Sequence, residues 1–156
     1  MSLARRKVPE GSAREPQAPF VAASRNEIAD TDRTRNLRMA LVLVGVIFLA
    51  GIYPLTIVWP SGWAWHTGQS YYLPMIIGVY ATLGVFLLLA SRKPLENLSL
   101  IWFTVWSSFV HAGIMTVQSL KNPEHIGHLW GDVLALFFVG GLLGVLTLQS
   151  TRAKSQ

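Results

Sequence analysis

Residues 39–59 read MALVLVGVIFLAGIYPLTIVW, and this run decides the fold. It carries no Asp, Glu, Lys, Arg or His. At a rise of about 1.5 Å per residue, some twenty helical residues cover about 30 Å, the hydrocarbon thickness of a bilayer. A run this long and this apolar reads as a membrane-crossing helix. Pro54 lies near its far end, where it is expected to kink the helix or interrupt its hydrogen bonding.

Three more such runs follow, over residues 72–90, 98–120 and 124–148. Arg92-Lys93-Pro94 ends the second, and Asn97 stands where the third needs an N-cap. Asn122-Pro123-Glu124 carries the start signature of the fourth: a capping Asn, Pro at the first helical position and an acid in the first turn. None of the runs alternates polar and apolar residues as a membrane β-barrel strand would. Helices satisfy every backbone N–H and C=O within the segment, which hydrocarbon demands. The expected fold is therefore all-α, a four-helix transmembrane bundle with a disordered N-terminal tail.

The composition agrees. Of 156 residues 51% are hydrophobic and only 13% charged, against roughly 25% charged in soluble proteins. Thirteen of the 21 Asp, Glu, Lys and Arg residues fall within 1–38, so the remainder is far more apolar than the average. A soluble domain this small has too much surface to hide so many apolar side chains. The division expected is a disordered basic cytoplasmic tail (1–36), a membrane domain (37–148) and a short cytoplasmic C-terminal tail (149–156). A short surface helix over 26–35 interrupts the first tail. Arg5-Arg6 has a faint look of an export signal, but no small-residue cleavage site follows the first apolar run, so no cleaved leader is expected.

There is no cysteine, which excludes disulfides, cysteine-ligated iron–sulfur clusters and thioether-attached haem. The net charge of +5 and the pI near 10.0 arise from basic residues beside apolar runs. The partner they imply is the lipid bilayer, not nucleic acid. Eight Lys and Arg precede the first span, two lie between the second and third, and two follow the fourth. The opposite flanks hold one, Lys121. The positive-inside bias then puts both termini in the cytoplasm, and an even number of spans agrees, since it returns the chain to the side it started from.

That orientation gathers all four histidines in the outer half. His66 lies in the loop PSGWAWHTGQS, whose Trp63 and Trp65 join Trp59, Tyr71 and Tyr72 as an interfacial aromatic group. On the third helix Thr104, Ser108, His111 and Gln118 are spaced for one face, and on the fourth so are His125, His128 and Asp132. A short turn makes these helices antiparallel neighbours whose polar faces are expected to meet. Asp132 is the most informative residue, since a carboxylate within a span costs about 2.5–3.5 kcal/mol on insertion scales and marks a functional site by default. The candidate polar pocket is His111, Gln118, His128 and Asp132, with His66, His125, Ser108 and Thr104 secondary to it.

Three chemistries suit these residue types. A proton relay needs only hydrogen bonding and a titratable pair. A divalent metal would take His111, His128 and Asp132, or His125 and His66, although no dense ligand motif is present. A bis-histidine haem would need His111 facing His128. No nucleophile triad is assigned, and Ser107 and Ser108 are expected to bond the backbone. The plainer alternative stands beside these: His128 and Asp132 hydrogen-bond only to lock two helices together. Gly127/Gly131 and Gly140/Gly144 have the small-xxx-small spacing that brings helices close, within the bundle or between copies and other membrane proteins.

The run LGVFLLLASRKPLENLSLIWFTVWSSFVHAGIMTVQSL, with GHLWGDV after it and GIYPLTIVWPSGWAWHTGQS before it, resembles a bacterial family of small four-helix membrane proteins known only as a domain of unknown function. The resemblance covers residues 37–148. It implies the four-helix fold and a bacterial inner membrane, and assigns no activity, cofactor or catalytic residue. The functional readings are thus a small transporter or proton-linked component, a metal- or haem-binding redox protein, or a non-catalytic membrane subunit.

Overall fold

The computed structural model describes residues 18–65 and 71–153; of the tail expected over 1–36, residues 1–17 lie outside them, as does His66, while residues 18–36 are helical. Every regular element among the described residues is helical. In chain order they are α1 (Ala18–Val46), a π-helical turn (Ile47–Gly51), α2 (Ile52–Val58), α3 (Pro60–Trp63), α4 (Tyr72–Ala90), a 3-10 turn (Pro94–Glu96), α5 (Leu98–Lys121), a 3-10 segment (Pro123–Leu129) and α6 (Asp132–Ala153). Four stretches are long and apolar enough to cross a membrane: Thr31–Val58, Tyr72–Ala90, Leu98–Lys121 and Pro123–Arg152. The protein is a four-helix, multi-pass membrane bundle.

The first helix begins well before the apolar run, so residues 26–35 are part of α1 and not a separate surface helix. The expected break at Pro54 is displaced one turn earlier. Proline lacks the N–H that residue 50 would accept, and its ring crowds that carbonyl. The chain widens over Ile47–Gly51, where the Ile52 N–H bonds back five residues to Ile47. Phe48, in this wide turn, points inward and meets Tyr80 edge-on at 4.9 Å.

The fourth span also departs from expectation. Asn122 and Pro123 open it, but the Asn122 side chain bonds back to the Gln118 carbonyl instead of capping. The first seven residues are 3-10, and the α-helix starts only at Asp132. Asn97 behaves similarly: it occupies the N-cap of α5, with its amide turned back to the Lys93 carbonyl.

α1 packs against both α4 and α6, and α5 packs along α6; α4 and α5, although consecutive, meet little. Two glycines set the first contact. A Cβ on Gly84 would sit 2.6 Å from the Gly45 carbonyl oxygen, so the two backbones touch with no side chain between them. The α5–α6 register is fixed by Gly140 against the Phe109 ring and Gly144 against Val105. The shared core holds Leu37, Leu41, Leu87, Ile101, Ala112 and Leu143, all with no measurable exposure. Outward, large side chains such as Val58, Phe103, Trp106, Phe138 and Val145 are bare. Lipid is the solvent that such a surface requires.

Candidate functional site

One end of the bundle carries the Trp59–Trp65 connection and the other the Arg92-Lys93 turn; the chemistry is concentrated at the first. After Trp59, Pro60 starts the single turn of α3, which lays Ser61 and Gly62 against the 3-10 segment of the fourth span. Side chains at Gly127 and Gly131 would collide with the carbonyl oxygens of Ser61 and Gly62. The small-xxx-small pair therefore seats a loop backbone within the chain. This seat aims the next residues into the bundle.

Trp65 is the result. Its indole N–H donates to Asp132 Oδ2 at 3.0 Å, and its ring stacks on His128 with centroids 4.1 Å apart. His125 leans on the same indole at 4.9 Å. His128 Nδ1 lies 3.0 Å from the same Oδ2. With the carboxylate ionised, Nδ1 carries the hydrogen and donates it, making a charge-assisted contact. The pairing follows from sequence spacing, since residues four apart stay on one face across the 3-10 to α junction. His128 is 1% exposed and Asp132 7%, so the pair is withdrawn from solvent and lipid. Asp132 is the first residue of α6, where the positive end of the helix dipole favours a negative charge. Its second oxygen, Oδ1, is buried and takes no hydrogen bond from another side chain.

His111 does not join this group directly. It is half-buried, and its Nδ1 lies 3.1 Å from the Tyr80 hydroxyl of α4. This bond spans the seam where α4 and α5 otherwise meet little. Both Tyr80 and His111 are near enough to Asp132 to feel its charge. Gln118 is exposed and stands outside the site, because Ser119 takes the inward position next to it. Thr104 is fully buried with its hydroxyl on the Leu100 carbonyl, and Ser108 is buried on the same face; neither approaches the carboxylate end. Ser107 bonds the Thr104 carbonyl, as expected of a hydroxyl within a span.

Among the described residues, no three His, Asp or Glu side chains gather closely enough to hold a metal ion. His111, His128 and Asp132 are not brought together as a ligand set, because His111 turns to Tyr80. The two imidazoles also do not face one another as haem ligands would; His128 lies flat under an indole.

Sequence reasoning missed Trp65 and Tyr80 as site residues. Trp65 read as an interfacial aromatic, and its inward turn depends on the backbone seat at Gly127 and Gly131. A signal was present in the spacing of Gly62, Gly127 and Gly131. Tyr80 depends on the height of α4 relative to α5, which no local pattern encodes.

The model of a family of unknown function (DUF6632) matches residues 32–156 of the chain. No curated protein and no solved structure matches it.

Proposed function

Because the chain belongs to this family of unknown function, we infer its role from the site alone: a proton-exchanging centre in a small, proton-linked membrane component or transporter. The observation that carries this reading is the buried His128–Asp132 pair beneath Trp65. Imidazole is the side chain whose ordinary titration lies near neutral pH, and a carboxylate beside it offers a second proton position.

The twelve-to-one distribution of Lys and Arg supports placing both termini in the cytoplasm, and so the pair near the outer face of a bacterial inner membrane. Trp65 then caps the pair from the outer loop. The loop covers the site, His128 and Asp132 hold the proton, and Tyr80 with His111 lines the way deeper between α4 and α5.

The test is proton flux into liposomes holding purified protein and an internal pH-sensitive dye. Wild-type protein should dissipate an imposed pH gradient, with or without a co-substrate. Asp132→Asn, which keeps the shape and the Trp65 hydrogen bond, should reduce the flux to that of empty liposomes while the protein stays monodisperse in detergent. Flux that is unchanged in Asp132→Asn removes the reading and leaves the pair as a latch between loop and helix.

A further inference from the structure

Trp65 is held by its side chain, and the backbone just before it is held separately. Ser61 and Gly62 press on Gly127 and Gly131. The Ala64 N–H bonds the Pro60 carbonyl at 2.7 Å, which closes the turn of α3 and leaves Ala64 extended. The half-buried indole is therefore the part that can swing.

The indole meets three side chains, all on the fourth span. Its N–H reaches Asp132 Oδ2 at 3.0 Å, its face lies on the His128 ring at 4.1 Å and 24° from parallel, and His125 stands at 4.9 Å, tilted by 37°. A hydrogen bond to a carboxylate and a stack on imidazole answer differently to a proton. Nδ1 of His128 already carries its hydrogen towards Asp132, so a proton taken up by the ring bonds to Nε2. The ring becomes imidazolium, while Asp132 stays ionised as its counter-ion and keeps the indole N–H. The face of an aromatic ring is its negative part, and indole is the best aromatic partner for a cation within about 6 Å. The near-parallel stack sets the new charge against that face.

Few other titratable groups surround the stack. The fourth span supplies Asp132, His128 and His125; α5 brings His111 and α4 brings Tyr80, bonded to each other. The Trp59–Trp65 connection carries no charged side chain, and Lys121 and Glu124 at the turn before the fourth span are exposed. His125 is the farther and more tilted imidazole, and it is His128 that has the carboxylate at 3.0 Å.

We propose that Trp65 is a lid fastened by the proton it covers: the indole sits more firmly on His128 when the His128–Asp132 pair carries an added proton, and swings away more often once that proton has left. This deepens the proton-exchange reading and rests on it for its purpose, which is to keep a loaded site shut on the loop side.

Fluorine NMR of the full chain in lipid nanodiscs, with 5-fluorotryptophan at its six tryptophans, tests this. Trp65→Phe assigns the Trp65 signal by its loss. A neutral, water-soluble paramagnetic chelate broadens each signal according to its exposure. From about pH 8 to about pH 5, across the ordinary histidine titration, the broadening at Trp65 should fall about two- to fivefold, the change in population that an indole–cation contact brings. His125→Gln should keep that fall and His128→Gln should abolish it. Broadening that ignores pH, or that grows towards acid because the carboxylate has taken the proton and let the indole go, overturns the proposal with no substitution at the pair. A fall that survives in His128→Gln, or is lost in His125→Gln, puts the charge elsewhere and overturns it too. A fastening lid in a protein that passes no protons leaves this device standing and removes the proton reading; flux with a Trp65 signal indifferent to pH does the opposite.

Discussion

The two ends of the bundle are built from the same four helices and solve the polar-group problem in opposite ways. Towards the Arg92-Lys93 turn, each polar side chain that enters the interior is satisfied by its own helix. Ser91 bonds the Leu88 carbonyl, Thr147 bonds Leu143, and Ser150 bonds Leu146. Between them, Leu37, Leu41 and Leu87 fill the space with no exposure at all. Charges there remain outside: Lys93 pairs with Glu96, and Arg38 reaches the Arg92 carbonyl. Towards the Trp59–Trp65 connection, Thr116 still bonds its own helix at Ala112, but the contacts of the site run between elements: loop to helix at Trp65–Asp132 and helix to helix at Tyr80–His111. Within the spans themselves, helical regularity fails at this end, in a π turn and a 3-10 segment. The lesson is that self-satisfied hydroxyls let a span pass through lipid without asking anything of its neighbours. Groups that need partners from elsewhere appear where the backbone is irregular enough to bring them.

This contrast can be broken by substitution. The largest effect is expected in the apolar end. Leu87→Ala opens a cavity in a closed core, where such truncations cost about 2–5 kcal/mol. Reversible unfolding in mixed micelles should show that loss. If the ends are independent, proton flux and the loop should be untouched by it.

Gly131→Ala should come next. Its methyl group meets the Gly62 backbone, which cannot give way as a flexible side chain would. Overpacking of this kind costs about 1–3 kcal/mol. The added Cβ should also lift the loop. Since the chain has no cysteine, a lone Ala64→Cys reports on this by thiol labelling, which should be faster when Gly131→Ala is added. Gly141→Ala is the control, because nothing lies within 4 Å of its Cβ position. Equal labelling in the two backgrounds would mean that the loop is not seated on these glycines.

Thr147→Val should have the smallest effect, less than about 1 kcal/mol, since the hydroxyl bonds only its own helix and the shape is kept. A larger loss would show that the hydroxyl ladder ties helices together after all, and the distinction between the ends would weaken.

Much of this was readable in the sequence, for definite reasons. The helix of the second span runs Tyr72–Ala90, and Arg92-Lys93-Pro94 ends it by charge and by ring geometry. The third begins at Leu98, after Asn97. The His128–Asp132 pair was legible from spacing, because a helix places residues four apart on one side. What was not legible depended on paths between elements. The start of α6 at Asp132 reflects a tight 3-10 segment pressed by the incoming loop. Gln118 was placed inward by its seven-residue spacing from His111, but seven residues fall only about 20° short of two turns, so Gln118 keeps to the side of His111, and His111 itself turns to α4. Trp65 carried the chemistry while looking like one more interfacial aromatic.

The seat at Gly127 and Gly131 has a consequence for quaternary structure. That notch, which in other helices would welcome a second polypeptide, is already filled from within by Ser61 and Gly62. Among the described residues, the glycines with open space beside them are Gly78, Gly113 and Gly141. A second helix that packed on the bundle through small residues would meet it there, and not at the seat that Ser61 and Gly62 already fill.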